Sequence, residues 1–440
     1  MKVIIKRIIC FLLFCSLLVG TGKLLRYLLV DDTSSYTRVT FHEMYEQDNI
    51  DVLFVGSSHC YRSFIPEILD EKLGCNTFNA GTSAQTLDGS YVIIKEAVKY
   101  NDIDHIYLEM YFNASFASYK KRSELTQTYI IADYLRPSLD KVRYLLNASS
   151  KKYYSNSFIL ARRNWTRIYD AGFVKDLLIR KNSDAYKNYK YDYITGDNEW
   201  YSGKGYVANN EIIENWNYFS DPNTKSNSLG KVTNDWLRSL EDIIEFCEKK
   251  DIQLTLVSAP MPHYQLIRWG NYDEYIKAVQ NVIAGTDISY YDFCLCKDTY
   301  FPDTSEVYKD VSHLNCYGAE LFSNLFADFV NGKISEDELF WNSYAEKLSH
   351  LEPTVFGISY CDEQAVNDGR VTRQCEIIST PNDDLEYEIL LSPSSGEPYK
   401  VQEYSANKLF TVTPDAHGTI TVTYRLCDYP DEAKTCQISY

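Results

Sequence analysis

The chain has 440 residues, enough for two or three domains and a sizeable core. Its 44 Lys and Arg against 61 Asp and Glu leave a formal net charge of −17, an acidic balance that argues against nucleic acid as the main partner. Hydrophobic residues at 45% and aromatics at 15%, with 38 Tyr, exclude a disordered chain.

Lys2, Lys6 and Arg7 precede an apolar run over residues 8–20, and a second apolar stretch follows Lys23 and Arg26 as far as Val30. The first run alone is the size of a signal-peptide core, shorter than the roughly 20 residues a spanning helix needs. No small-x-small cleavage pattern follows it, and Lys23 and Arg26 can reach an interface while the helix continues. Residues 1–30 therefore predict an uncleaved signal anchor, with a cleaved signal peptide as the alternative. The basic residues ahead of the run keep the N-terminus cytoplasmic, which makes this a single-pass cell-membrane protein with its body outside. An oxidising exterior would allow Cys361–Cys375 and Cys427–Cys436 bridges, although spacing does not fix connectivity.

From residue 50 short apolar strands alternate with amphipathic helices, the pattern of a parallel sheet covered on both faces. Strands are predicted over 52–55, 76–79, 106–111, 253–257 and 289–293, and helices over 66–73, 236–249, 272–283 and 317–330. In the last helix Leu321, Phe322, Leu325, Phe326 and Phe329 form one apolar face. An insertion over about 115–230 separates the third strand from the fourth, longer than an ordinary crossover. Its first half predicts helix over 129–147. Its second half is rich in rings, among them Tyr186, Tyr191, Trp200, Tyr201 and Trp216, and reads either as an aromatic packing module or as a sugar-stacking surface. Residues 31–346 thus form one α/β domain. After 346–353 the pattern turns all-β, and residues 354–440 predict a small β-sandwich, an accessory domain.

Two motifs carry chemistry. The first strand runs into Gly56-Ser57-Ser58-His59, a turn that puts a serine at the carboxyl edge of the sheet, where open α/β folds place their sites. Asp310-Val311-Ser312-His313 lies just before the last helix of the same domain, with Asp and His spaced so that the carboxylate can orient the imidazole toward that serine. His59, beside the serine, and His263, after the fourth strand, are candidate substrate contacts, as are Trp200 and Tyr201 on the insertion. There is no phosphate loop, no Gly-x-Gly-x-x-Gly and no metal-ligand pattern, so no cofactor or metal is expected.

With these residues the chain resembles the SGNH/GDSL-type hydrolase superfamily, in its membrane-anchored extracytoplasmic branch that includes proteins of alginate acetylation and lipoteichoic-acid D-alanylation. The resemblance covers about 50–115 and 250–331. It rests on Gly56-Ser57-Ser58 in place of Gly-Asp-Ser, Asn79-Ala80-Gly81 in place of the glycine block, and Asp310 to His313 followed by Leu314-Asn315 as the Asp-x-x-His block. It implies a flavodoxin-like three-layer fold, Ser58 as nucleophile, His313 as general base and Asp310 as its orienter. Backbone N–H groups of Ser58 and Gly81 would form the oxyanion hole. The family's Gly-x-Asn-Asp block is missing after the third strand, where Glu109-Met110-Tyr111-Phe112-Asn113 stands, so Asn113 is the candidate third donor. The implied function is a serine-dependent acyl-ester hydrolase or O-acyltransferase acting on cell-envelope polysaccharide, fed by a membrane-bound O-acyltransferase. The alternative is a non-catalytic glycan-binding or assembly protein that keeps the fold.

Overall fold

The structure, a computed structural model, describes residues 2–122, 124–190, 198–213, 218–219, 231–365, 371–413 and 417–440. The expectations placed on Tyr191 and Trp216 lie outside these. The first helix, Lys2–Leu29, is long and apolar enough to cross a membrane, a property a signal sequence shares. Its side chains stand exposed until its C-terminal end, where Leu29 and Val30 are buried against the body.

Among the described residues eight strands precede the C-terminal region: β1 (Val52–Val55), β2 (Thr77–Asn79), β3 (His105–Glu109), β4 (Glu199–Gly203), β5 (Tyr206–Asn209), β6 (Tyr218–Phe219), β7 (Gln253–Ser258) and β8 (Ser289–Asp292). Five of them form a parallel sheet in the order β2-β1-β3-β7-β8. Side chains alternate across such a sheet, and the sequence is apolar at both parities. Leu53, Val55, Ile106 and Leu108 enter one core, while Val52, Phe54 and Tyr107 enter the core on the other face. The helix Cys316–Val330 supplies Phe322, Phe326 and Phe329 to the second core. Leu321, expected on the same face, is 38% exposed. Because the connection leaving β1 runs to β2 on one side while the connection leaving β3 runs toward β7 on the other, a crevice opens at the carboxyl ends of β1 and β3.

The helix expected over 129–147 is two helices, Thr126–Ala132 and Leu139–Ala148. Pro137 disfavours a helical residue before it, and Ser138 caps the second helix by accepting the Lys141 N–H at 3.2 Å. The β4–β5 hairpin docks on the free edge of the parallel sheet, where Asn79 N–H donates to Lys204 O at 3.0 Å. Gly205, at φ +85°, permits this approach, since a Cβ there would stand 1.6 Å from Asn79 O.

The C-terminal region holds β9 (Val355–Ala365), β10 (Val371–Ser379), β11 (Leu385–Pro393), β12 (Tyr399–Ser405), β13 (Leu409–Val412), β14 (Gly418–Leu426) and β15 (Lys434–Ser439). They make two four-stranded sheets, β13-β10-β9-β6 and β12-β11-β14-β15, with Ile358, Ile377, Tyr387, Ile389, Val422 and Ile438 in one core. Strand β6, from the insertion, pairs parallel with β9. The helix His263–Trp269 ties the α/β part to this region, its Tyr264 hydroxyl donating to Ile358 O at 3.2 Å and Arg268 Nε to Ser359 Oγ at 3.2 Å. No disulfide is formed among the described residues. Across the neighbouring strands Cys375 pairs with Tyr360 and Phe410, and Cys436 with Val422.

Candidate active site

Strand β1 ends at Val55 and the helix Ser58–Ser63 begins three residues later. Gly56 makes the turn beside Glu109, the last residue of β3. Ser57 N–H donates to Glu109 Oε2 at 2.7 Å, and Ser57 Oγ caps the helix by accepting the His59 N–H at 3.2 Å. Ser58 is thereby the first helical residue, and its N–H has no acceptor within the helix. From the other side Asn79, fully buried at the end of β2, donates Nδ2 to Cys60 O at 2.8 Å and to Phe64 O at 3.0 Å, holding the C-terminal end of the same helix.

The loop before Cys316–Val330 brings the second motif to this turn. His313 Nε2 lies 2.8 Å from Ser58 Oγ, and His313 Nδ1 lies 3.0 Å from each Asp310 carboxylate oxygen. Asp310 Oδ1 also accepts the Ser312 N–H at 2.8 Å and the His313 N–H at 2.9 Å, which fixes the loop. Burial pushes the Asp310 carboxyl up, but the hydrogen bond and charge of His313 and the charge of Lys309 outweigh it and hold Asp310 well below the usual carboxylate range. An ionised carboxylate only accepts, so His313 Nδ1 carries the ring proton and Nε2 is left to accept from Ser58. The arrangement can withdraw the serine proton as the oxygen attacks an acyl carbon.

His59 does not face solvent as a substrate contact would. It is buried, stacked between Tyr111 at 4.2 Å and His313 at 4.7 Å, with Nδ1 3.3 Å from Ser57 Oγ and Nε2 3.0 Å from Ser312 Oγ. Burial, reinforced by the charge of His313, holds its pKa well below the usual imidazole value, so the ring is a neutral strut between the two motif loops. His263 begins its helix buried, with Nδ1 3.2 Å from the Tyr344 hydroxyl and its N–H on Asp303 at 3.0 Å. Tyr201 packs against the helix Tyr36–Glu46, its hydroxyl donating to Glu43 at 2.6 Å, because the hairpin lies over the β2 edge. Trp200, in the same hairpin opposite Ala208, is 39% exposed.

Of the expected oxyanion donors, Gly81 and Asn113 have these surroundings. Gly81 N–H points at Asn79 Oδ1, 3.1 Å away, because the Asn79 side chain turns back over the loop it begins. Asn113 stands exposed on the 3-10 turn Phe112–Phe116, where with Tyr111, Ala84 and Thr86 it borders an open cavity of about 680 Å³. This cavity meets the site at Tyr111, whose ring stacks on His59.

No protein-family model matches the chain, and no curated protein does either. Among solved structures, one of a platelet activating factor from Streptococcus pneumonia is 14% identical, with a TM-score of 0.33 over 71% of this chain and 99% of that one. A Cellulomonas fimi endo-beta-1,4-mannanase double mutant is 9% identical, with a TM-score of 0.15 over 93% of this chain and 99% of the other. Scores this low establish neither a shared fold nor a shared activity.

Glu109 belongs to this site without being part of either motif. It is buried under the Gly56-Ser57 turn, and burial, only partly offset by the Ser57 hydrogen bonds, raises its pKa from 4.5 to about 7. Its signal was a carboxylate ending the apolar run Ile106-Tyr107-Leu108 at the sheet's carboxyl edge. A group whose folded pKa is raised stabilises the fold below its unfolded pKa and loses that contribution as pH rises through the folded value. Glu109→Gln keeps an oxygen for the Ser57 N–H but does not titrate. The wild type should therefore lose stability relative to Glu109→Gln between about pH 4.5 and 7, by at most about 3 kcal/mol. Parallel denaturation curves across that range would refute the assignment.

Proposed function

We propose that this chain is an SGNH/GDSL-type serine enzyme, an acyl-ester hydrolase or O-acyltransferase acting on cell-envelope polysaccharide, held at the outer membrane face by its first helix. The observation that carries the reading is the chain of contacts Ser58 Oγ to His313 Nε2 to Asp310. As Ser58 Oγ attacks the acyl carbonyl, His313 Nε2 takes its proton and Asp310 stabilises the imidazolium. The tetrahedral intermediate collapses, His313 returns the proton to the leaving alkoxide, and an acyl-Ser58 ester remains. Water or a sugar hydroxyl, deprotonated by His313, then attacks that ester and releases Ser58. The second half-reaction alone separates hydrolysis from transfer, and a membrane-bound O-acyltransferase is the proposed source of acyl groups.

The Gly81 N–H engaged by Asn79 favours a second reading, in which the fold binds glycan without turning it over. A fluorophosphonate probe on the full-length protein in detergent distinguishes them. Wild type should be labelled within minutes and Ser58→Ala not at all. Absence of label on folded wild type, or equal label on the variant, would leave the binding reading in possession.

A further inference from the structure

Residues 151–181 differ from the rest of the chain in charge: they hold eight Lys and Arg against two Asp, in a protein with a formal balance of −17. They also leave large apolar side chains in the open, with Ile159 58%, Trp165 42%, Ile168 37%, Tyr169 88% and Ile179 60% exposed. Single exposed apolar residues are ordinary; a run of them among cations, on adjoining elements, is not.

These elements adjoin the N-terminal helix. Both the 3-10 segment Leu160–Tyr169 and the helix Ala171–Lys181 pack against it. Asn164 Nδ2 donates to Leu29 O at 2.9 Å, Lys181 Nζ reaches Arg26 O at 3.4 Å, and Arg180 pairs with Asp31 at 2.9 Å. The height of these contacts follows from helix geometry. The hydrocarbon core is about 30 Å thick and takes about 20 residues to cross, so a helix entering it at Val3 leaves it near residue 22. Arg26 and Leu29 then stand at headgroup level, and Asn164 and Lys181 with them. At that depth exposed Trp, Tyr and Ile side chains meet the acyl boundary, and Arg162, Arg167 and Lys175 meet the headgroups.

We infer that residues 158–179 form a second membrane contact, a basic and aromatic collar lying on a bilayer surface of anionic lipid around the exit of the N-terminal helix. The inference rests on that helix remaining in the bilayer. It is independent of the chemistry at Ser58. The body is then attached to the membrane at two places, which fixes the height and tilt of the sheet edge that carries Ser58. A lipid surface is favoured over a protein partner because cations and interfacial aromatics occur together at the height of the headgroups.

The full-length protein in nanodiscs of phosphatidylcholine and phosphatidylglycerol, with a fraction of acyl chains bearing diazirines, tests this by photolysis and peptide mapping. Lipid adducts should occur on the N-terminal helix and on peptides covering 158–179. The triple substitution Trp165→Asp, Ile168→Asp, Tyr169→Asp, all at exposed positions, should lower the collar adducts at least fivefold and leave those on the helix. Adducts on the helix alone, or collar adducts unchanged by the substitutions, would overturn the collar and leave a protein partner as the occupant of that face. A helix without adducts would overturn the anchor, and the collar with it.

Discussion

Replacing His313 with Ala should lower kcat on a small activated ester by about 10⁴-fold or more, and adding Ser58→Ala should lower it no further. On the proposed reading the two side chains share one proton: Ser58 Oγ is 2.8 Å from His313 Nε2, so neither would complete the transfer without the other. Asp310→Asn tests the third member through the tautomer. Asp310 Oδ1 accepts two backbone N–H groups, so the Asn oxygen would keep that position and its NH2 would face His313 Nδ1. The kept oxygen still lies 3.0 Å from Nδ1, but the new NH2 offers it a donor in place of the second acceptor, which favours the ring with its proton on Nε2, unable to accept from Ser58. A loss on the order of 10³-fold to 10⁴-fold in kcat with KM little changed is expected. Additive losses in the double variant, or Asp310→Asn within threefold of wild type, would show that the three residues do not form one catalytic unit.

The parallel sheet was legible because each strand is a short apolar run bounded by turns, and because residues of both parities are apolar in β1 and β3. Strands β10, β12 and β15 were not, since Thr372, Arg373, Gln374, Lys400, Gln402 and Gln437 interrupt any apolar run. A strand covered on one face shows only alternation, and short ones are lost among loops. The insertion was legible as an interruption and not as a structure. Nothing local says that Lys204 will lie against Asn79, because the pairing depends on a hairpin finding an open sheet edge.

The Ser58, Asp310 and His313 constellation could be read because each motif carries its own turn chemistry and both fall at strand-to-helix connections. The burial of two further histidines could not. His59 and His263 have the same sequence surroundings as exposed loop residues, a polar ring beside small residues or proline, and their burial is decided by Tyr111 in one case and Tyr344 in the other. The partner of the Gly81 N–H was hidden for a related reason. The resemblance of Gly81 to a glycine block concerns the backbone, whereas its N–H is taken by the side chain of Asn79, two residues earlier.

The turn itself supplies the last prediction. Gly56 has no side chain because Glu109 occupies the space: a Cβ would lie 2.4 Å from Glu109 Cβ and 2.5 Å from Glu109 Oε2. Neither atom can give way cheaply. The β-carbon belongs to the middle strand of the sheet, and the carboxylate is buried and bound to Ser57 N–H. Gly56→Ala should therefore cost about 2–4 kcal/mol, at the upper end for overpacking. Relief has to come from moving the turn, which carries Ser58 away from His313, and a displacement of about 1 Å is enough to reduce turnover about 100-fold. Shortening the glutamate should not restore the fold, because Glu109→Ala keeps the β-carbon and also leaves Ser57 N–H without its acceptor. Gly74→Ala is the control: at φ +69° and with nothing within 4 Å of where its Cβ would stand, it should cost only the backbone strain, about 1 kcal/mol, and leave turnover unchanged. Denaturation midpoints and active-site titration on the folded fraction measure the two effects separately. If Gly56→Ala kept both wild-type stability and full titratable Ser58, the turn would not be set by contact with Glu109.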